Sequence, residues 1–269
     1  MTALLRATHL EATVAVTLIA FALALAVGRG AGSLLVAAAV LAGQCSIGWS
    51  NDWLDAARDR ANGRRDKPTV VGLVRTDKLR NLAFTALAAC VVLSLANGLL
   101  AGLLHLVAVG LGWAYNLVLK RTPASVLAYA GAFGLLPVFI VLSLGEAQRP
   151  TWWFVTAAAL LGAGAHFANA LPDLADDRAQ GIDGLPQRLG ARGSAIGSAS
   201  LLALGVAVAV AGGGVNALGL AVLIAALLLA GLVAGRSAGD DHRGAFKLSL
   251  AIALLAVTAM VISGSSLVS

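Results

Sequence analysis

Two segments of this chain carry the residues that could do chemistry, and they match each other. Asn51–Gly63 reads N-D-W-L-D-A-A-R-D-R-A-N-G, and Asn169–Gly181 reads N-A-L-P-D-L-A-D-D-R-A-Q-G. Both fit N-x-x-x-D-x-x-x-D-R-A-[N/Q]-G, and each is followed by a proline, Pro68 and Pro186. On a helix, residues four apart advance about 40° around the axis, so each Asn/Asp/Asp set is expected on one face within roughly 80°. Aligned carboxylates repel unless a cation sits between them. All-oxygen donor sets of this kind suit Mg²⁺, which keeps several waters and shares phosphate oxygens of a substrate. Asp55, Asp59, Asp173 and Asp177 are the expected metal ligands. Asp52 and Asp176 stand one step off the main rows, in a supporting role or on a second metal. Asn51 and Asn169 offer a carbonyl oxygen, a hydrogen bond or a helix cap. Two such rows facing one another would clamp a diphosphate.

The elements that must position these rows are greasy. The chain is 59% hydrophobic and only 12% charged, too little polar surface for a soluble domain of this size. Apolar runs approach the ~20 residues a membrane helix needs. They predict an all-α integral membrane protein, a single domain over 1–269. About nine spans are expected, near 10–28, 32–50, 80–97, 99–118, 124–144, 152–170, 194–212, 215–235 and 247–266. The abundant Gly and Ala suit close helix packing in lipid. Glu11 ahead of the first apolar run argues against a cleavable signal. Cys45 and Cys90 fall in apolar spans with no metal or disulfide spacing, and read as small packing residues.

With nine spans, alternate connections share a face. One face takes all the Lys and Arg residues except Arg29 and Arg149, and all the acidic residues except Glu146. The positive-inside rule assigns that face and the N-terminus to the cytoplasm. Four spans separate the two acidic motifs, so both return to the same face and can meet. Topology accounts for most of the basic residues, and no nucleic-acid partner is expected. Outside the motifs the expectations are structural. His105 reads as a packed histidine with one hydrogen bond, Gly212–Gly214 as a turn, and Trp152-Trp153 as an interfacial anchor. Gly98-x-x-x-Gly102 reads as a tight helix contact.

Taken together, the motifs resemble the UbiA-type intramembrane prenyltransferase superfamily. Its signature N-D-x-x-D-x-x-x-D is matched by Asn51, Asp52, Asp55 and Asp59, and its second, D-x-x-x-D, by Asp173 and Asp177. Asp66-Lys67-Pro68 with Gly72 is similar to the element after the first signature, and Leu185–Gly190 to the one after the second. Tyr115 with Lys120-Arg121 resembles a Tyr…Pro-Leu-Lys element, with Val118 in place of the proline. The resemblance implies a helical bundle around a central cavity that opens to lipid and is capped by cytoplasmic loops. It implies Mg²⁺-dependent transfer of a prenyl group from a polyprenyl diphosphate to a small hydrophobic or aromatic acceptor. By the same resemblance Asn51, Asp55 and Asp59 would hold one metal, and Asp173 and Asp177 another. Lys67 and Lys120 become diphosphate contacts, with Arg121 and Arg178 behind them. Tyr115, Phe133, Phe167 and Trp113 are the aromatic groups available to shield an allylic cation.

One departure bears on the acceptor. Hydroxybenzoate-type members carry an aspartate and a tyrosine where this chain has His166 and Asn169. His166 therefore reads either as a group that orients or deprotonates the acceptor or as a core residue. No mid-span arginine is present to bind a buried acceptor carboxylate. Three rivals share some of these features. An intramembrane terpene cyclase would use the same clamp without an acceptor. A CDP-alcohol phosphotransferase needs a glycine where Ala56 follows Asp55. A lipid or cation carrier would hold its ionisable groups near the bilayer midplane, not at span ends.

Overall fold

The computed structural model describes residues 2–64, 67–145, 147–179, 181–236 and 242–269. Asp66, Glu146 and Gln180 lie outside them. Among the described residues eleven α-helices follow in order: α1 (Thr2–Arg6), α2 (Leu10–Ala26), α3 (Ser33–Ala61), α4 (Thr76–Leu95), α5 (Leu99–Leu117), α6 (Ser125–Leu142), α7 (Trp152–Ala170), α8 (Leu174–Ala179), α9 (Leu185–Gly212), α10 (Ala217–Arg236) and α11 (His242–Ser263). Eight are long and apolar enough to cross a membrane, and α2 is a shorter apolar helix. The nine expected spans each fall on one of these.

The helices pack in sequence: α2 on α3, α3 on α4, α5 on α6, α6 on α7 and α7 on α9. The α10/α11 pair lies against α9, and α11 closes the ring by touching α7 and α2. Apolar side chains face both ways, as a bilayer solvent requires. Leu18, Leu34, Val92 and Leu228 point outward, while Phe139, Phe154, Leu202, Ile252 and Met260 fill the interior. Between α2, α6, α7 and α11 runs an apolar cleft lined by Leu23, Phe133, Leu161, Ala165, Val257 and Met260.

Small residues let backbones meet. The α4–α5 connection turns at Gly98 (φ 116°), and a Cβ on Gly102 would stand 2.5 Å from the Ser94 carbonyl oxygen. The close-packing reading of this pair holds. His105 is buried, shares a hydrogen bond with Ser94 Oγ at 2.7 Å and stacks on Phe139. The tryptophan pair divides: Trp152 is exposed, whereas Trp153 is buried in the interior, so only the first can anchor at an interface.

Two of the element boundaries that differ from the expected spans matter to the site. Helix α3 continues to Ala61, carrying Asn51, Asp55 and Asp59 on one unbroken helix. Its 29 residues extend about 44 Å, longer than the ~30 Å of a hydrocarbon core. Helix α9 begins at Leu185, well before the expected 194, and kinks at Gly190 (φ 73°, ψ 179°). That left-handed φ favours glycine.

Candidate functional site

The first acidic row is built as its spacing requires. Asp52, Asp55 and Asp59 are all buried on α3. The second row is not a single helical face. Helix α7 ends at Ala170, a 3₁₀ turn spans Leu171–Asp173, and α8 starts at Leu174. Pro172 cannot donate a backbone hydrogen bond, which breaks the ladder at that point. Asn169 is therefore on α7, Asp173 in the turn and Asp177 on α8.

The two rows occupy the same end of the bundle. Arg64, just past the first row, has Nη2 3.9 Å from Asp173 Oδ1. Arg58 and Arg64 both act electrostatically on Asp177, and Tyr115 feels both Asp177 and Asp55. The expectation that the motifs meet, drawn from counting crossings, holds in the fold.

Each acidic side chain has partners of its own. Lys120, 6% exposed, donates to Asp55 Oδ1 at 2.5 Å and Oδ2 at 2.7 Å. Arg58, one turn along α3, bridges Asp55 Oδ2 at 2.7 Å. Lys67 donates to Asp52 Oδ1 at 2.8 Å, and His9 Nε2 lies 3.4 Å from the same oxygen. Asp177 Oδ2 accepts from Gln187 Nε2 at 2.7 Å. Burial, then the nearby Asp173, raises the Asp177 carboxyl to about 6, against the opposing pull of Gln187, Arg58 and Arg64. Burial also pushes the Lys120 ammonium below its ordinary pKa, and Asp55 pulls it back. Asp176 is exposed. Among the described residues no three acidic, His or Cys side chains converge as a set ready to hold a metal.

Two observations show that the residues suit a hard cation. Asp59 is buried, and its Oδ2 has no hydrogen-bond partner among the described residues. Asn51 commits its amide nitrogen to Asn116 Oδ1 at 3.1 Å, while Asn116 Nδ2 donates to Ile47 O and Ser50 Oγ at 2.9 Å each. Only the carbonyl oxygen of Asn51 is then left to serve a cation. A donor set of carboxylate and amide oxygens is what Mg²⁺ takes.

Below the acidic residues lies a cluster of rings. Tyr115, Tyr129 and His166 pack mutually, with centroids 4.8–5.7 Å apart, and Phe167 sits 5.8 Å from His166. His166 Nε2 shares a 3.0 Å hydrogen bond with Ser125 Oγ, which also accepts the Leu185 backbone N–H at 3.2 Å. Phe133 lines the apolar cleft. Trp113 stands apart from this group, donating to Ser46 Oγ at 3.1 Å and packing on Phe84. Arg121 is exposed. Both Nε and Nη2 of Arg178 donate to the Gln187 carbonyl, tying α8 to the start of α9.

Sequence reasoning missed several of these partners. Arg58 read only as a topology marker, although its i,i+3 spacing from Asp55 was a signal. Gln187 lay inside a segment noted for its resemblance but had no role there. Nothing in the sequence pointed to Asn116, Ser125 or His9.

The UbiA prenyltransferase family profile matches residues 13–255. The chain belongs to the UbiA prenyltransferase family. Solved structures agree on the fold of this UbiA-family chain. An apo UbiA homologue from Aeropyrum pernix K1 superposes with a TM-score of 0.72 at 23% identity, covering 94% of this chain and 98% of that one. A homologue from Archaeoglobus fulgidus bound to GPP and Mg²⁺ gives 0.69 at 19% identity, covering 97% and 99%. A digeranylgeranylglyceryl phosphate synthase gives 0.67 at 17% identity, covering 98% of both chains. No curated protein sequence matches the chain significantly.

Proposed function

We infer that this UbiA-family protein transfers a prenyl group from a prenyl diphosphate to a small hydrophobic or aromatic acceptor, with Mg²⁺, at the cytoplasmic end of its membrane bundle. One observation carries this reading. Two matched acidic motifs, more than a hundred residues apart in sequence, are gathered at one end of the bundle, with lysines seated on carboxylates of the first and Arg64 beside Asp173 of the second. The Archaeoglobus relative, which binds GPP and Mg²⁺, supports the choice of ligands.

Asn51, Asp55, Asp59, Asp173 and Asp177 would hold Mg²⁺, which when bound would neutralise charge on the diphosphate oxygens. The chain's own groups supply the rest. Lys120 and Lys67 present ammonium groups to the leaving diphosphate, where preorganised positive charge is worth most as the C–O bond breaks. The apolar cleft takes the prenyl chain and keeps water from the allylic cation. Tyr115, Tyr129 and Phe167 offer π faces to that cation. His166, fixed through Nε2 by Ser125, orients the acceptor. The lysine- and arginine-rich end faces the cytoplasm by the positive-inside rule.

The test is incubation of purified protein with dimethylallyl, geranyl and geranylgeranyl diphosphates. Each is tried with Mg²⁺ or with EDTA, and with or without phenolic, quinone-precursor and glycerol phosphate acceptors, with products read by mass spectrometry. Prenylated acceptor formed only with Mg²⁺ is expected. Clean conversion to a cyclic hydrocarbon with no acceptor present would overturn transfer in favour of cyclisation.

A further inference from the structure

Two buried carboxylates of the site are each held twice, and by the same plan. Asp55 is held by Lys120 and by Arg58. Asp52, 1% exposed, is held by Lys67 at 2.8 Å, with His9 Nε2 3.4 Å from the same oxygen. In each pair one partner is a lysine on a long flexible stem. The other is fixed in place: Arg58 by its i,i+3 spacing on α3, and His9 by its backbone.

The backbone at His9 is unusual. Among the described residues it is the one non-glycine with positive φ (55°, ψ 58°), a conformation that L residues hold only when their surroundings impose it. Here the surroundings are specific. Trp49 Nε1 donates to the Leu4 carbonyl at 3.1 Å. Ala7 packs with Val74 and Leu79 in a small cluster of its own, flanked by Trp49 and Trp53. The Thr8 carbonyl lies so close to Gly48 that a Cβ there would stand 2.4 Å from it. The 2–9 segment is thus strapped across α3, and the strap ends by turning His9 onto Asp52. It precedes residues 13–255, the stretch matched by the family profile.

We propose that His9 is a positioning residue for Lys67: it stays on Asp52 and so frees the Lys67 ammonium to move to the diphosphate of the substrate. Without a second partner, departure of Lys67 would strand a buried carboxylate, and that penalty would hold the lysine back. Arg58 does for Lys120 what His9 does for Lys67. This rests on the prenyl diphosphate reading above.

The test is binding of geranyl S-thiolodiphosphate, whose C–S bond resists cleavage, in the presence of Mg²⁺ by isothermal titration calorimetry. The variants are Lys67→Ala, His9→Gly, His9→Gln and the His9→Gly/Lys67→Ala double. Glycine adopts the left-handed backbone without strain, so His9→Gly removes the side chain and keeps the strap. His9→Gly is expected to weaken binding roughly tenfold, as loss of a polar contact to a buried charged group does. His9→Gln, whose amide N–H reaches as far as Nε2, recovers most of that loss. In the Lys67→Ala background His9→Gly should change nothing further, since coupled residues are non-additive. Unchanged binding by His9→Gly, or the same loss with and without Lys67, overturns the role of His9. Failure of the unmutated protein to bind the analogue overturns the prenyl diphosphate reading itself.

Discussion

Replacing Lys120 by methionine separates what this residue does for the fold from what it does for the reaction. Lys120 is 6% exposed, and both Asp55 oxygens lie within 2.7 Å of its ammonium. Breaking a buried ion pair by removing one partner costs about 3–5 kcal/mol. Arg58 still holds Asp55 Oδ2 at 2.7 Å, and the Asp55 side chain is 11% exposed, so the lower end, about 3 kcal/mol, applies. For a chain of this size that lowers Tm by roughly 6–12 °C. A thiol-reactive fluorophore suits the assay in detergent, because the free thiols are Cys45, half-buried, and Cys90, buried, which react as the bundle opens. The double variant Lys120→Met/Asp55→Asn removes both charges together. It should regain most of the lost Tm, since a neutral pair leaves no bare charge in the interior. Turnover should not return, because the double variant lacks both the Lys120 ammonium and the Asp55 carboxylate assigned to the metal: it stays down by roughly 10²-fold or more, the usual loss for a missing electrostatic contact in the transition state. Recovery of both stability and turnover in the double variant would refute the assignment of Lys120 to the diphosphate.

Three further outcomes are expected. The Asp177 carboxyl, raised to about 6 by burial and Asp173, must lose its proton to ligate a cation. Mg²⁺-dependent substrate binding should therefore weaken as pH falls through about 6, approaching tenfold per unit below it. Asp177→Asn should flatten that profile, as followed by calorimetry. Cysteines introduced at Asn62 and Asp183 should be labelled by a membrane-impermeant maleimide from the cytoplasmic side, and one at Gly213 from the other. Labelling of Asn62 and Asp183 from opposite sides would be incompatible with one site shared by the two motifs. His166→Ala should lower acceptor prenylation far more than binding of the prenyl diphosphate, since the imidazole is held by Ser125 and ringed by Tyr115 and Tyr129. Equal loss of both would make it a packing residue.

The span count and the meeting of the motifs were legible in the sequence because hydropathy and charge bias are averaged over many residues. The first acidic row was legible in detail, since α3 keeps its period through Asp59. The other row has the same spacing in one dimension, yet Pro172 divides it among a helix end, a 3₁₀ turn and a short helix. The partners of the carboxylates were harder to read. A buried aspartate requires a cation, but the sequence does not say which of many basic residues will supply it. Lys67 and Lys120 emerged through family resemblance. His9 lies forty-three residues before Asp52, and only the strap across α3 brings them together.

The pairing of Asp52 and Asp55 with cations from the same chain has a consequence for biogenesis. A newly inserted bundle does not have to await a metal ion to neutralise these carboxylates, because Lys67, Lys120 and Arg58 arrive with the polypeptide. Assembly and ion loading become separate events, unlike the small metal-nucleated domains that are unfolded until the ion binds. A cell starved of magnesium would then accumulate an idle but intact protein, ready to work once the ion returns.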